Sequence, residues 1–218
     1  MAKRFKLIVF DWDGTLMDSA PAIVAALQAA SGDLGFEPPS DERARHIIGL
    51  GLQDALREAL PALDPLRYRE MAERYRYHYL SHDQELMLFA GAFELVRALG
   101  EAGFLLAVAT GKTRHGLERA FAGSGLGPYF DASRCADECH SKPDPQMLLE
   151  LMGKFALAPE DTLMIGDTTH DLLMARNARV PALAVAYGAH PRASLEAEAP
   201  LLCAESIAEV HAWLMQNA

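Results

Sequence analysis

The stretch KLIVFDWDGTLMDSAP, residues 6–21, decides the fold. Its apolar run, Leu7 to Phe10, reads as a buried strand and delivers the chain into Asp11, Asp13 and, further on, Asp18. Carboxylates this close repel one another. Asp13-Gly14 makes a good turn, because glycine permits backbone angles and close approaches that a side chain forbids. That explains Asp13 and Gly14 but leaves Asp11, a charge where the chain leaves a buried strand. An EF-hand calcium loop needs glycine at its sixth position and glutamate at its twelfth. Counted from Asp11, the glycine is fourth and Ala22 stands twelfth, so that reading fails.

Working outward, FLLAVA (104–109), TLMI (162–165) and ALAVA (182–186) repeat the short apolar pattern of residues 6–10, with helix-length segments between them. Strands alternating with helices predict an α/β fold, a Rossmann-like parallel sheet covered on both faces. Ligands of such sheets bind beyond the carboxyl ends of the strands. Residues 17–87 break the alternation and read as an all-helical insert. Helical patterns run over 22–30, 41–49, 52–60 and 65–80, and Tyr68, Ala72, Tyr75 and Tyr79 share one face of the last. The expected organisation is therefore a core of residues 1–16 and 88–218 with a helical cap of residues 17–87.

The 218 residues, half of them hydrophobic, suffice for one core and a smaller companion. A net charge of −10 argues against nucleic-acid and anionic-membrane partners, although a local site can still be positive. Three cysteines in a chain this long fit a reducing compartment. No apolar run reaches the roughly 18–20 residues of a membrane span. The apolar part of the N-terminal segment is too short for a signal peptide. A cytoplasmic protein is expected, as monomer or homodimer.

Three more motifs end or follow strands. In LLAVATGKTRHG, residues 105–116, Thr110 closes the strand and Gly111 can bare backbone N–H groups at a helix start, a phosphate cradle. It is not a Walker loop, because Leu106 stands where that motif needs its first glycine. In HSKPDPQML, residues 140–148, Pro143 and Pro145 stiffen the chain beside Lys142, and Asp144-Pro145 looks like a helix start. In LMIGDTTHDLLMARNA, residues 163–178, a strand runs into Asp167 and a helix carries Asp171; singly, each could be only a cap or a first-turn acid. If the strands are neighbours, Asp11, Asp13, Asp167, Asp171 and Lys142 converge with a summed charge of −3. With a phosphate dianion added, the site needs a hard divalent cation with oxygen ligands, and one carboxylate readily keeps a proton.

DWDGT, the strand-end Thr110, Lys142 before Pro143, and GDTTHD together resemble the four motifs of the haloacid dehalogenase superfamily, over nearly the whole chain. The similarity is greatest to phosphatases of the phosphoglycolate phosphatase type with a small helical cap. The resemblance implies an Mg2+-dependent phosphatase acting on a small phosphorylated metabolite. Asp11 would be the nucleophile that becomes an aspartyl phosphate, and Asp13 the general acid and then base. Mg2+ would sit on Asp11, the backbone carbonyl of Asp13, and Asp167, with Asp171 orienting that site. Thr110, Gly111, Gly14 and Lys142 would hold the phosphoryl group. Relatives that cleave carbon–halogen bonds lack an acid at the position of Asp13, so Asp13 favours phosphate esters. A sugar-phosphate mutase, or a non-catalytic phosphate-binding regulator, are the alternatives. The substrate stays open among phosphoglycolate, sugar phosphates, a nucleotide monophosphate and an amino-sugar phosphate.

Trp12 departs from the smaller residues such relatives carry between the two acids and is expected to pack away from the site. Cys135, Cys139 and His140 have no second ligand pair nearby and are read as structural. Arg45, His46 and Gln53, near the glycines of a cap loop, are candidate substrate contacts. The histidines look scattered, and His170 is expected at the surface.

Overall fold

The computed structural model describes residues 4–82 and 86–218. Residues 83–85, within the expected helical insert, lie outside it.

Strand β1 (Leu7–Phe10) is followed by helices α1 (Ala20–Asp33), α2 (Asp41–His46), α3 (Leu52–Ala59) and α4 (Tyr68–Ser81). Then come α5 (Ala92–Glu101), β2 (Leu105–Thr110), α6 (Arg114–Ser124) and β3 (Ala132–Cys135). The chain continues through α7 (Gln146–Phe155), β4 (Thr162–Gly166), α8 (Thr169–Asn177), β5 (Ala182–Val185), α9 (Arg192–Ala197), β6 (Cys203–Ala204) and α10 (Ile207–Asn217). The strands form one sheet in the order β3-β2-β1-β4-β5-β6, every pair parallel. Leu7 lies opposite both Leu105 and Thr162, and Phe10 opposite Val108 and Ile165. The ends of β1, β2 and β4 are thus level. The chain builds outward from β1 to β3, then crosses to β4 on the other side of β1. That reversal opens a crevice above the carboxyl end of β1.

Strand alternation divides the core in two. Ile8, Phe10, Val108, Ile165 and Val185 face one way, against Leu95 and Leu99 of α5 and Val210 and Leu214 of α10. Leu7, Val9, Ala109 and Met164 face the other, against Leu148 and Leu151 of α7 and Met174 of α8. Trp12 is fully buried on the first side, edge-on to Phe121 at 5.3 Å. It packs away from the acids that flank it, as the sequence suggested.

Helices α1–α4 bury a separate cluster that includes Ile23, Leu27, Ile48, Leu56 and Met71, with Tyr68, Ala72, Tyr75 and Tyr79 packed on it. The tyrosine face of α4 is therefore a packing face. Two strands escaped the sequence reading. β3 carries Ser133 and Arg134 and is fully buried only at Cys135, and β6 has two residues. Both lie at sheet edges, where no continuous apolar run is required. No helix among the described residues is long and apolar enough to cross a membrane.

Candidate active site

The level strand ends gather the acids. Asp11 follows β1, and its N–H donates to the Ile165 carbonyl of β4 at 2.9 Å. Gly14 turns the chain with φ at 79°, and any Cβ there would run into the Asp167 carboxylate. Asp167 follows β4, its Oδ1 accepting from the Thr15 hydroxyl at 2.8 Å and its Oδ2 from the Ala189 N–H at 2.7 Å. Thr168 caps α8 in a reciprocal box: Asp171 Oδ2 accepts from the Thr168 N–H and hydroxyl, and the Asp171 N–H donates back to that hydroxyl. The acidic first turn that the sequence suggested is present, but the cap residue is Thr168, and Asp167 stays free to face Asp11. Lys142 Nζ donates to Asp171 Oδ1 at 2.6 Å and lies 2.7 Å from Asp11 Oδ1.

Asp11, Asp13, Asp167, Asp171, Thr110 and Lys142 are all buried. Neither carboxylate oxygen of Asp11 has a hydrogen-bond partner in good geometry, although Lys142 is within ion-pair distance. Burial, then the charges of Asp171 and Asp167, push the Asp11 carboxyl well above the usual range against the pull of Lys142. Burial and Asp171 raise Asp167 to about 7. The Lys142 pKa is raised too: burial works against its charge, but Asp11 and Asp171 outweigh burial and hold it protonated.

Oxygens of Asp11, Asp167 and Asp171 lie within 4.8 Å of one another, the one such group of possible metal ligands among the described residues. An octahedral Mg2+ holds its oxygens at 2.0–2.1 Å, so opposite ligands stand about 4 Å apart. An all-oxygen set containing an unpartnered buried carboxylate suits a hard divalent cation. Asp13 lies to one side. Its Oδ1 accepts from Ser19 Oγ at 2.5 Å and pairs with Lys112 Nζ at 2.9 Å. Lys112 also donates to the Tyr79 hydroxyl of α4 at 3.0 Å, tying the helical insert to the acid. The sequence reading passed over Lys112 as the tail of a failed Walker motif; its signal was its place two residues after Thr110. Thr110 Oγ1 accepts from the Lys112 N–H at 3.2 Å. Gly111 carries the Gly49-Leu50 backbone so close that a Cβ would strike both carbonyls.

The insert leaves a cavity of ≈ 230 Å³ that opens beside Asp13, bounded by Ile48, Gly49 and Leu50 on one side and Lys112 and Thr113 on the other. Arg45 and Gln53 do not line it, and Gln53 is exposed. His46 belongs to another assembly. Its carbonyl accepts from His170 Nε2 at 2.7 Å and His190 Nε2 at 3.0 Å, and the three rings pack within 5.4 Å. The Thr169 N–H donates to His190 Nδ1, which fixes that ring as the Nε2–H tautomer. Burial pushes His170 down and His190 down to about 4. His170 is therefore buried, contrary to the expectation of a surface residue, because the insert closes over it. Cys135, Cys139 and Cys203 are all free thiols, and Cys139 and His140 join no metal-ligating group among the described residues.

Asp11, Thr110 and Asp167 thus stand at three strand ends of one parallel sheet, and Lys142, from the loop between β3 and α7, reaches Asp11. The family model for haloacid dehalogenase-like hydrolases matches residues 8–185. A probable phosphatase, IndB, of Dickeya dadantii (strain 3937) is 38% identical over 213 residues, covering 94% of this chain and 91% of that protein. A phosphoglycolate phosphatase of Agrobacterium fabrum (strain C58 / ATCC 33970) is 35% identical over 193 residues, 84% of this chain and 81% of the relative. The solved structure of a hydrolase from Pseudomonas syringae has a TM-score of 0.88 at 22% identity, covering 97% and 98% of the two chains, a likeness of fold. The chain belongs to the haloacid dehalogenase-like hydrolases. Within that family, these curated relatives are named as phosphatases.

Proposed function

We propose that this chain is a cytoplasmic, Mg2+-dependent phosphatase that hydrolyses a small phosphate monoester through an aspartyl phosphate, with residues 17–87 as its cap. The observation that carries the reading is the Asp11 carboxylate, fully buried, without a hydrogen-bond partner, and facing two more acids and one lysine. Structure without catalytic use does not collect such groups cheaply, since three buried acids share one lysine and taking each charge out of water costs several kcal/mol.

Asp11, Asp167 and Asp171, with the Asp13 carbonyl, are the groups that would hold the cation, which supplies charge neutralisation for the transferring phosphoryl group. One Asp11 oxygen attacks phosphorus as the ester P–O bond breaks, giving an acyl phosphate on Asp11. Asp13 gives its proton to the departing alkoxide oxygen and is left as the carboxylate. Its Oδ1 faces Lys112 Nζ and Ser19 Oγ. Asp13 then takes a proton from the water that attacks phosphorus, and inorganic phosphate leaves with Asp11 restored. Thr110 Oγ1 and the Gly111 N–H stand at the strand end where phosphoryl oxygens would lie, and Lys142 offsets the charge on Asp11.

The test is phosphate release from a panel of small monoesters with Mg2+ and then with EDTA. Metal-dependent release that Asp11→Asn abolishes is the expected result. Isomerisation of a sugar phosphate without net release, or binding without turnover, overturns it in favour of a mutase or a regulator.

A further inference from the structure

We infer that the cavity beside Asp13 selects the phosphate ester of a compact apolar alcohol, in preference to esters of hydroxy acids or polyhydroxylated sugars. This rests on the phosphatase reading above and deepens it.

In the geometry proposed above, the alcohol half of the substrate lies beyond Asp13, on the side away from the three ligating acids. The cavity that opens there is walled mainly by the insert's own core: Ile23, Leu27, Ile48, Leu52, Leu56 and Tyr75. Four of these, Ile23, Leu27, Ile48 and Leu56, are themselves nearly inaccessible. The helices α1–α4 therefore pack around a hollow lined by their buried side chains. A void lined this way gives up packing contacts unless something apolar fills it.

Polar groups in the wall keep to two places. Lys112 and the Tyr79 hydroxyl sit at the Asp13 end, bonded to each other. Arg76 and His115 are exposed at the solvent side, and Arg119 is half-buried. Between them, the Tyr75 phenol has no hydrogen-bond partner among the described residues. It lies within electrostatic reach of Lys112 and Asp13, and burial keeps it neutral. One phenol can serve one polar atom of a ligand. A sugar would bring several hydroxyls against Ile and Leu side chains and leave most of them without partners, each lowering binding by about tenfold. At ≈ 230 Å³, the hollow lies just under the usual range for drug-sized pockets. It suits a compact group such as a single ring. A two-carbon hydroxy acid would leave it mostly empty.

The experiment compares kcat/KM for benzyl and cyclohexylmethyl phosphate with that for glycerol 3-phosphate, glucose 6-phosphate and phosphoglycolate, in Mg2+. All five release aliphatic alcohols of comparable basicity, so the comparison reads the pocket and not the leaving group. The expected result is a preference of about 100-fold or more for the two apolar esters, two stranded hydroxyls at about tenfold each. Leu52→Asn, at a half-buried wall position, should cut the benzyl-to-glycerol ratio about tenfold, while the volume-conserving Leu52→Met keeps it. If phosphoglycolate or a sugar phosphate is hydrolysed as well as benzyl phosphate, the apolar assignment is overturned and the phosphatase reading stands. If no ester is hydrolysed, the phosphatase reading falls. Calorimetric titration with benzyl phosphate and glycerol 3-phosphate then decides the cavity's preference alone: tighter benzyl binding supports it, and equal binding overturns it.

Discussion

Replacing Asp11 by asparagine should abolish turnover in Mg2+ and make the metal-free protein more stable. The wild-type carboxylate is 0% exposed, and neither of its oxygens has a hydrogen-bond partner. Lys142, its one cation, is shared with Asp171, to which it donates at 2.6 Å. Burial outweighs Lys142 and raises the Asp11 pKa, so the site favours an uncharged group of that shape more than water does. Asparagine supplies one. An unsatisfied buried polar group costs about 1–3 kcal/mol, and charge adds to that, so the expected gain is roughly 1–3 kcal/mol. For a chain of this size each kcal/mol moves Tm by about 2–4 °C, so the variant should melt roughly 2–12 °C higher in EDTA at pH 8. The gain depends on pH with a fixed sign. A carboxyl whose folded pKa is raised contributes stability that is fully present below the unfolded value, near 4, and lost as pH rises through the folded value. The advantage of Asp11→Asn should therefore shrink toward pH 4. Added Mg2+ should reverse the order, because the cation uses the charge that asparagine lacks. The assay is thermal unfolding by circular dichroism at both pH values, in EDTA and in Mg2+, beside phosphate release. A variant that melts below wild type in EDTA at pH 8 would refute the reasoning.

Lys142→Met removes the cation shared by Asp11 and Asp171 and should cost the metal-free protein roughly 3–5 kcal/mol, with much of the loss recovered in Mg2+; equal melting of variant and wild type in EDTA contradicts this. Asp167, raised to about 7, makes protons compete with metal, so metal-free stability should decline from about pH 4 to pH 7 while the Mg2+-induced rise in Tm grows over the same window; melts at pH 5.5 and 8 with and without Mg2+ test it, and a metal-free Tm that climbs with pH counts against it. Gly14→Ala forces a side chain into the left-handed region and against Asp167, at a cost of roughly 1–3 kcal/mol, and should weaken Mg2+ binding measured by titration calorimetry; unchanged affinity would show that Asp167 has room to move.

The parts of the molecule that a sequence displays are those where one physical demand dominates. β1, β2, β4 and β5 are buried on both faces, so each shows as an apolar run. β3 and β6 lie at the edges and lack that demand. The acids were legible because charge at the end of a buried strand has few other reasons to be there, and parallel strands bring such ends together. Lys112 was not, because a lysine after a Thr-Gly pair is unremarkable until Asp13 is seen 2.9 Å away. The histidines illustrate the opposite limit. His46, His170 and His190 come from α2, α8 and the segment after β5, and no periodicity links positions so far apart. The loop that Arg45 and Gln53 flank reaches the site through backbone, at Gly49 and Leu50 against Gly111, which side-chain patterns do not display.

The carbonyl of His46 has a mechanical consequence. It is gripped by His170, one residue before Asp171, and by His190, one residue after the N–H that holds Asp167. The two segments that fasten the insert are the ones that aim the acids. A shift of the His46 backbone is thereby felt at the segments of Asp167 and Asp171 together.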